Sequence, residues 1–316
     1  MRKSLIVYET QYGTSKKVAE ICSLIVGTAK MADINAVPAN VDTYDNVIFV
    51  FGFYGYNTAK KTKEFIRNNK EKLLSKRVAV IGVGISVRDL DRYAEELFVE
   101  LGRKSDFTAF VQGELIVNKL TVEDKKVLEK FFEKANIPFK DMGHFKKEDA
   151  CNVAARCAEV LNKPSLVPSR EELMLAINEF VRQHNTCALG TGAGEFVRCT
   201  PIEYLYLNDA FYFISEGGFK FKAILQNPNV CIAIYNEYTD MQNLKGLQVS
   251  GQAEIIPLYS EEYNEVMKVK GLNLKNLSNM PIVLNLFKAK VSKFEFLNSE
   301  FRKNGFDAKQ VLVISE

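Results

Sequence analysis

The chain has 316 residues, of which 47% are hydrophobic and 26% charged, and its formal net charge at pH 7 is +3. These values are ordinary for a globular protein of two domains, and so small a net charge gives no reason to expect nucleic acid as a partner. The first apolar run ends at Glu9, too soon for a signal peptide, and no apolar stretch approaches the length of a membrane span. We therefore expect a cytoplasmic protein without a membrane-spanning segment.

A metal site is not predicted. The six cysteines form no CxxC pair, and the only two histidines are His144 and His184. Zinc and iron–sulfur sites need more closely spaced ligands than these. We expect the cysteines to be reduced thiols that mostly pack in the interior. A redox pair of Cys151 and Cys157 is the alternative.

Short apolar runs alternate with helical segments over the first half of the chain. The predicted strands lie near residues 5–8, 47–51, 78–83 and 108–115, and the predicted helices near 15–26, 62–69, 91–101, 121–135 and 149–161. Apolar strands without polar alternation indicate a parallel sheet covered on both faces, and their alternation with helices indicates a doubly wound α/β fold. Ligands of such folds bind beyond the carboxyl ends of the strands, so three loops that leave those ends are candidate binding segments.

The first of these loops, residues 10–15, contains three threonine or serine hydroxyls, one tyrosine and one glycine, and it leads directly into a predicted helix. A helix amino terminus offers unpaired N–H groups and a partial positive charge, which suit a phosphate, although a capped turn explains the local sequence equally well. The segment resembles the flavodoxin phosphate loop Thr-x-Thr-Gly-x-Thr, with tyrosine at the middle threonine and serine at the last. This resemblance implies contacts to flavin mononucleotide (FMN) from Thr10, Tyr12, Gly13, Thr14 and Ser15.

The second and third loops lie where flavodoxins contact the flavin ring. Tyr54 or Tyr56 is expected to stack on the isoalloxazine, with a surface turn as the alternative, and the third loop offers backbone contacts from Gly84, Ile85 and Ser86. The flavodoxin resemblance covers about residues 1–140. Within it, residues 113–121 resemble flavodoxin-like protoporphyrinogen oxidases.

The pattern changes after residue 161. Two prolines and two serines in residues 162–169 predict a linker, and a helix near 169–184 follows. We predict strands near residues 186–190, 195–200, 202–207, 210–215, 230–235, 247–256, 289–296 and 310–314, and a helix near 260–270. Repeated short strands indicate a barrel, and the Gly-rich residues 190–194 are interpreted as a hairpin tip rather than a phosphate loop. The predicted domains are therefore residues 1–161 and 170–316.

Residues 195–251 carry a second resemblance, to the FMN-binding split barrels of the pyridoxamine 5′-phosphate oxidase superfamily. It depends on the segments 197–201, 213–215, 217–220, 227–230 and 248–251, and it extends over about residues 170–297. Arg198 and Lys220 match cations of the FMN site, with surface solvation as the alternative, and Gln248 matches a glutamine near the flavin. The resemblance implies further FMN contacts from Cys199, Thr200, Pro201, Phe213 and Ile214. Split barrels of this family usually dimerise and hold FMN between subunits, so a homodimer is expected.

Departures from the oxidase pattern argue against vitamin B6 oxidation. Glu203 stands where the oxidase has a lysine, and Phe219 replaces the arginine of an Arg-Lys pair, so fewer cations face the phosphate. The oxidases also carry a carboxyl-terminal motif with a tryptophan, and this chain contains no tryptophan.

Two different flavin folds in one chain predict an FMN-dependent oxidoreductase that holds up to two FMN. The flavodoxin-like domain would pass electrons to or from the split barrel, which would act on a small organic substrate, and the partners would include an electron donor or acceptor. The flavin supplies the redox chemistry, so no catalytic side chain is predicted. The alternatives are a non-enzymatic electron carrier, a flavin- or haem-binding module with His144 or His184 as axial ligand, and a protoporphyrinogen oxidase-like activity.

Overall fold

The structure is a computed structural model that describes residues 2–52, 59–87, 90–277 and 279–314. The chain divides into two compact units, Met1–Lys163 and Pro164–Glu316. Among the described residues, no helix is both long enough and apolar enough to cross a membrane.

The first unit contains a parallel sheet. Its strands are β1 (Ser4–Glu9), β2 (Ala29–Asp33), β3 (Asn46–Gly52), β4 (Arg77–Gly84) and β5 (Phe107–Gln112). They lie in the order β2-β1-β3-β4-β5, and every neighbouring pair is parallel. This is the flavodoxin strand order, in which a ligand binds beyond the carboxyl ends of β1 and β3, where the order reverses direction.

Helices cover both faces of this sheet. The described residues form α1 (Thr14–Val26), α2 (Lys60–Asn68), α3 (Lys70–Leu74), α4 (Leu90–Leu101), α5 (Val122–Lys134) and α6 (Lys147–Leu161). Successive strand residues divide between the faces: Ile6 and Ile48 pack with α1 and α6, whereas Leu5 and Val47 pack with α2 and α4. Both sets are fully buried, which confirms the predicted doubly wound α/β fold.

Two features of the first unit differ from the prediction. The strand β2 was not predicted, because its sequence Ala-Lys-Met-Ala-Asp has no apolar run and it forms an edge of the sheet beside β1. The predicted strand near 108–115 is interrupted at Gly113, since β6 (Glu114–Leu115) leaves the sheet and pairs with β7 (Met142–Gly143). Residues 113–146, called the excursion below, contain β6, α5 and β7, and α6 then returns to cover the sheet.

The second unit is mainly β. Its helices are α7 (Arg170–Arg182), α8 (Phe219–Ile224), α9 (Glu261–Val269) and α10 (Leu274–Leu277). Its strands are β8 (Thr186–Ala193), β9 (Phe196–Glu203), β10 (Leu205–Leu207), β11 (Ala210–Ser215), β12 (Asn229–Tyr235), β13 (Lys245–Ile256), β14 (Asn285–Asn298) and β15 (Lys309–Val313). They form one antiparallel, curled sheet in the order β10-β11-β14-β13-β12-β8-β9, with β15 paired to β14. This half-barrel confirms the predicted split-barrel class.

The core of the second unit lies between the sheet and α7. Ser169 caps α7 in a reciprocal capping box with Glu172, and the helix buries Leu173 and Ile177 against the sheet. In the same core the ring of Phe213 stacks on that of Phe287, with their centroids 4.9 Å apart.

One predicted turn of the second unit is confirmed and one is wrong. Asn208 and Asp209 form the turn between β10 and β11 with φ values of +48° and +59°, as expected for a two-residue hairpin. The predicted hairpin tip at residues 190–194 is wrong, because β8 continues to Ala193 and the turn begins at Gly194. Gly190 instead lies inside the strand, where an added Cβ would come within 3.3 Å of the Cys231 carbonyl oxygen.

We expect Phe213→Ala to lower the free energy of unfolding of the second unit by about 3–5 kcal/mol, because a fully buried ring is removed. Urea unfolding of the whole chain, followed by circular dichroism and fitted to separate transitions, measures the change. Phe219→Ala is the matched control, since that ring is 63% exposed and its loss should change stability by less than about 1 kcal/mol. Equal effects of the two variants would contradict the packing described.

Candidate functional site

The loop between β1 and α1 is closed by its own contacts. Gly13 precedes α1 with a φ of +92°, a left-handed conformation that other residues rarely adopt. Its N–H donates to Thr10 Oγ1 at 3.0 Å, and its carbonyl oxygen accepts from the Lys17 N–H at 3.1 Å. The predicted residues Thr10 and Gly13 therefore turn the chain from the strand directly into the helix, with Thr14 as its first residue.

Ser15, in the first turn of α1, has a hydroxyl without a partner. Its side chain is 1% exposed, and its Oγ makes no hydrogen bond within the described part of the chain. Leaving a buried hydroxyl unpaired costs about 1–3 kcal/mol. The hydroxyl lies at the amino terminus of a 13-residue helix, where the first N–H groups are also unpaired. This set of donors fits an anionic group such as a phosphate.

Tyr12 connects the loop to the excursion. Its hydroxyl donates to Asp124 Oδ2 and accepts from the Thr121 N–H at 3.3 Å. Gln11 Nε2 donates to the same Asp124 oxygen at 2.5 Å. Thr121 Oγ1 accepts from the Asp124 N–H and so caps the amino terminus of α5. No local pattern in the sequence connects Asp124 with the loop, and its contacts to the loop are visible only in the fold.

The third predicted loop lies at the same sheet edge, because parallel strands present their carboxyl ends together. The Gly84 carbonyl oxygen accepts from the Gly113 N–H at 2.7 Å, which places the excursion beside β4. Ile85 and Ser86 follow and are exposed. The predicted stacking residues Tyr54 and Tyr56 lie outside the described residues.

Arg198 and Lys220 come together in the second unit from β9 and α8. Lys220 is only 8% exposed, and its Nζ donates to the Gly217 carbonyl oxygen at 2.5 Å. Burial lowers the pKa of Lys220, the nearby Arg198 charge lowers it further, and Glu216 opposes both. Two cations held close together, one of them almost buried, are unfavourable without an anion. The pair is therefore suited to a phosphate group.

Two threonine hydroxyls lie on the same face of the sheet as Arg198. Thr191 on β8 is directly opposite Arg198, and Thr200 is two residues further along β9. Directly opposed residues, and residues two apart in a strand, point to one face. Both Oγ1 atoms are buried and lack a hydrogen-bond partner among the described residues. This face therefore carries Arg198 and two unpaired hydroxyls, and Lys220 on α8 lies close to Arg198.

Gln248 is not brought to these groups within one chain. On β13 it lies between the buried core residues Leu247 and Val249 and is exposed on the opposite face of the sheet. Cys199 and Pro201 alternate with Arg198 in the same way and are exposed on that outer face.

Phe213 and Ile214 lie on β11. The ring of Phe213 is fully buried in the core, so this residue has only its backbone left for a ligand. Ile214 is half-buried and packs against a second apolar cluster around Tyr263 and Met267.

The departures noted in the sequence have structural counterparts. Glu203 pairs with Lys270 at 2.5 Å. Phe219 is exposed, and the Arg198 guanidinium lies 5.7 Å from its ring centroid. Phe219, which stands where the oxidases have an arginine, therefore contacts Arg198.

The two histidines differ in their surroundings. Both ring nitrogens of His184 have partners, Nδ1 at 2.8 Å from the Phe180 carbonyl oxygen and Nε2 at 2.9 Å from Asn236 Oδ1. His144 is exposed in the first unit. A haem ligand from His184 would need the contact to Asn236 to break.

The described residues contain no group of three or more His, Cys, Asp or Glu side chains placed to hold a metal ion. All six cysteines are free. Cys22 and Cys157 are buried between α1 and α6, with Cys151 beside them, and burial together with Cys151 raises the pKa of Cys22 to about 12. Thiols of this kind are weak nucleophiles at neutral pH.

Comparison with protein families identifies both units. Residues 5–138 match the family model of the flavodoxin domain, and residues 173–298 match that of pyridoxamine 5′-phosphate oxidase. Both matches support flavin binding. No curated protein matches the chain.

Solved structures similar to the chain include proteins from three bacteria. Campylobacter jejuni ChuZ is 19% identical, with 55% of this chain and 73% of that chain covered and a TM-score of 0.37. HutZ, the haem storage protein from Vibrio cholerae, is 19% identical, with coverage of 38% and 89% and a TM-score of 0.33. General Stress Protein 26 from Bacillus anthracis is 16% identical, with coverage of 45% and 99% and a TM-score of 0.33. Likenesses at this level carry no argument about function.

We expect Lys220→Met to change how stability depends on pH. The folded-state pKa of Lys220 lies below its usual 10.5, so the unfolded chain binds more protons between the two values and wild-type stability gains with rising pH in that interval. The variant lacks this gain. Urea unfolding of the ligand-free protein from neutral pH to pH 10.5 should therefore give a wild-type minus variant difference that rises with pH. A constant difference would contradict a buried, charged Lys220.

Proposed function

We propose that this chain, a flavodoxin-like domain joined to a pyridoxamine 5′-phosphate oxidase-like split barrel, is an FMN-dependent oxidoreductase with a flavin site in each domain. The observation that carries the proposal is the same in both domains. Each places buried hydroxyl groups without partners at the segment where its family resemblance expects FMN: Ser15 in the first, and Thr191 and Thr200 beside Arg198 in the second.

In the flavodoxin-like domain, Thr14, Ser15 and the first N–H groups of α1 would hold the phosphate. Thr10 and Gly13 keep the loop closed, and the contacts of Gln11 and Tyr12 to Asp124 hold it against the excursion. Tyr54 or Tyr56, together with the backbone of residues 84–86, would position the ring. Because these contacts already order the loop in the ligand-free protein, FMN binding loses less conformational entropy.

In the split barrel, Arg198 and Lys220 would neutralise the phosphate and Thr191 and Thr200 would donate to it. A phosphate dianion would remove the repulsion between the two cations and favour the charged form of Lys220. FMN, when bound, supplies one- and two-electron redox chemistry. The protein's part is binding, orientation and exclusion of water.

We propose a homodimer for the split barrel, with FMN between subunits. This arrangement accounts for Gln248, whose exposed side chain lies on the face opposite Arg198 and would be directed to the partner. The small organic substrate would be oxidised or reduced at this site, and the flavodoxin-like domain would exchange electrons with it. A chain that is reduced reversibly without turnover would be an electron carrier instead.

We expect the reconstituted protein to hold close to two FMN per chain, measured from the absorbance of released flavin. Ser15→Ala should weaken one site about tenfold, because it removes one hydrogen-bond donor, and Arg198→Met should weaken the other about 10- to 100-fold, because it removes a charged donor. Titration of each variant with FMN should show one weakened and one unchanged site. Arg182→Met, at an exposed arginine on α7, is the control. A wild-type ratio near zero would overturn the proposal.

We expect light scattering to give twice the mass of the chain in the presence of FMN. Gln248→Arg places a charge on the face proposed to meet the partner and should shift the protein towards monomer at micromolar concentration. Gln226→Arg, at an exposed position after α8, is the control. A monomeric wild-type protein saturated with FMN would contradict the dimer.

A further inference from the structure

A row of two adjacent aromatic rings with a cation at each end extends beyond the pair of Arg198 and Lys220. The ring centroids of Phe196 and Phe219 are 6.5 Å apart. The Arg198 guanidinium lies 5.7 Å from the centre of the Phe219 ring, and the Lys222 ammonium lies 4.6 Å from that of Phe196. The order along the row is therefore Arg198, Phe219, Phe196 and Lys222.

The rings in this row do not belong to the core. Phe219 is 63% exposed, and Phe196 is half-buried next to the hairpin turn at Gly194. Single exposed rings are common on protein surfaces. Two adjacent rings with a cation on each side are less common, and such a group attracts flat aromatic molecules that carry negative charge.

The two lysines of α8 lie on different sides of the helix. Lys220 and Lys222 are two residues apart on α8, so their side chains leave the helix about 200° apart. Lys220 is buried near the exposed Arg198, whereas Lys222 is exposed at the far side of the rings. Within the described residues, Lys222 forms no ion pair with an acid. The row thus has one anion position at Arg198 and another at Lys222, separated by a stacking surface.

We infer that Phe196, Phe219 and Lys222 form a subsite for the adenosine diphosphate part of a dinucleotide. A purine would stack on the exposed Phe219 ring, and Lys222 would hold its phosphates, since Arg198 and Lys220 are assigned to the phosphate of the flavin. The inference rests on the proposed flavin function, because it assumes that Arg198 and Lys220 bind a phosphate. The same chemistry is found in two dinucleotides: FAD, which would bind in place of FMN, and a nicotinamide dinucleotide, which would bind beside it.

Calorimetry with ADP as the probe tests the subsite on the FMN-loaded full-length protein. We expect ADP to bind the wild type, Phe219→Ala to weaken it about 5- to 100-fold through lost stacking, and Lys222→Gln to weaken it about 3- to 10-fold. FMN content should be unchanged in both variants. Lys268→Gln on α9 and Phe131→Ala on α5 are matched controls at exposed positions. Since both test positions are exposed, circular dichroism should show unchanged folding.

Two further titrations distinguish the dinucleotides. If FAD is the ligand, FAD should bind the FMN-free protein more tightly than FMN does. Phe219→Ala should then abolish this difference in affinity between FAD and FMN. If a nicotinamide dinucleotide is the ligand, NADP⁺ should bind while FMN stays bound, and Phe219→Ala should weaken the binding of NADP⁺. Either result supports the subsite.

Other results would overturn the subsite. They can be distinguished from results that would overturn the proposed flavin function. ADP that does not bind at millimolar concentration, or that binds equally to wild type, Phe219→Ala and Lys222→Gln, overturns it even if FMN binds. ADP binding that depends on Phe219 in a chain unable to hold FMN supports the subsite and rejects the flavin proposal.

Discussion

Strand pairing is the constraint on which both candidate sites depend. In the first unit the parallel pairing of β3 with β1 and β4 brings the carboxyl ends of these three strands to one sheet edge, although the strands are far apart along the chain. In the second unit the antiparallel register sets Thr191 opposite Arg198, so a hydroxyl and a guanidinium share one face. A shift of one residue would move Arg198 to the outer face, the face on which Gln248 lies, and away from Lys220.

Both sites also hold polar groups that the fold alone does not satisfy. Ser15, Thr191 and Thr200 have buried hydroxyls without partners among the described residues, and Lys220 is an almost buried cation. Such groups lower the stability of the ligand-free protein, and a phosphate bound at each of the two candidate sites would provide them with partners. In the first unit the group lies at a helix amino terminus, and in the second unit the groups lie on β8, β9 and α8 at one end of the sheet.

The sequence predicted most elements because their apolar patterns are local. It missed β2, whose side chains are only partly buried at a sheet edge. It also placed a turn at Gly190, which lies inside a strand where the close approach of β12 favours a glycine. It identified Thr10, Gly13 and Ser15 through a short motif. It did not connect Tyr12 with Asp124, because these residues are 112 positions apart and no local pattern relates them.

The sequence by itself determined that the chain contains two flavin-type folds. The evidence was the order of apolar runs, the hydroxyl-rich loop after β1, and the segments around Arg198 and Lys220. Only the tertiary structure decided which side chains meet: it joined Arg198 to Lys220 and Phe219, sent Gln248 to the opposite face, and directed Tyr12 to the excursion. The physical reason is that propensity and periodicity act over a few residues. Burial, register and charge proximity are set by segments that meet only after the chain has folded.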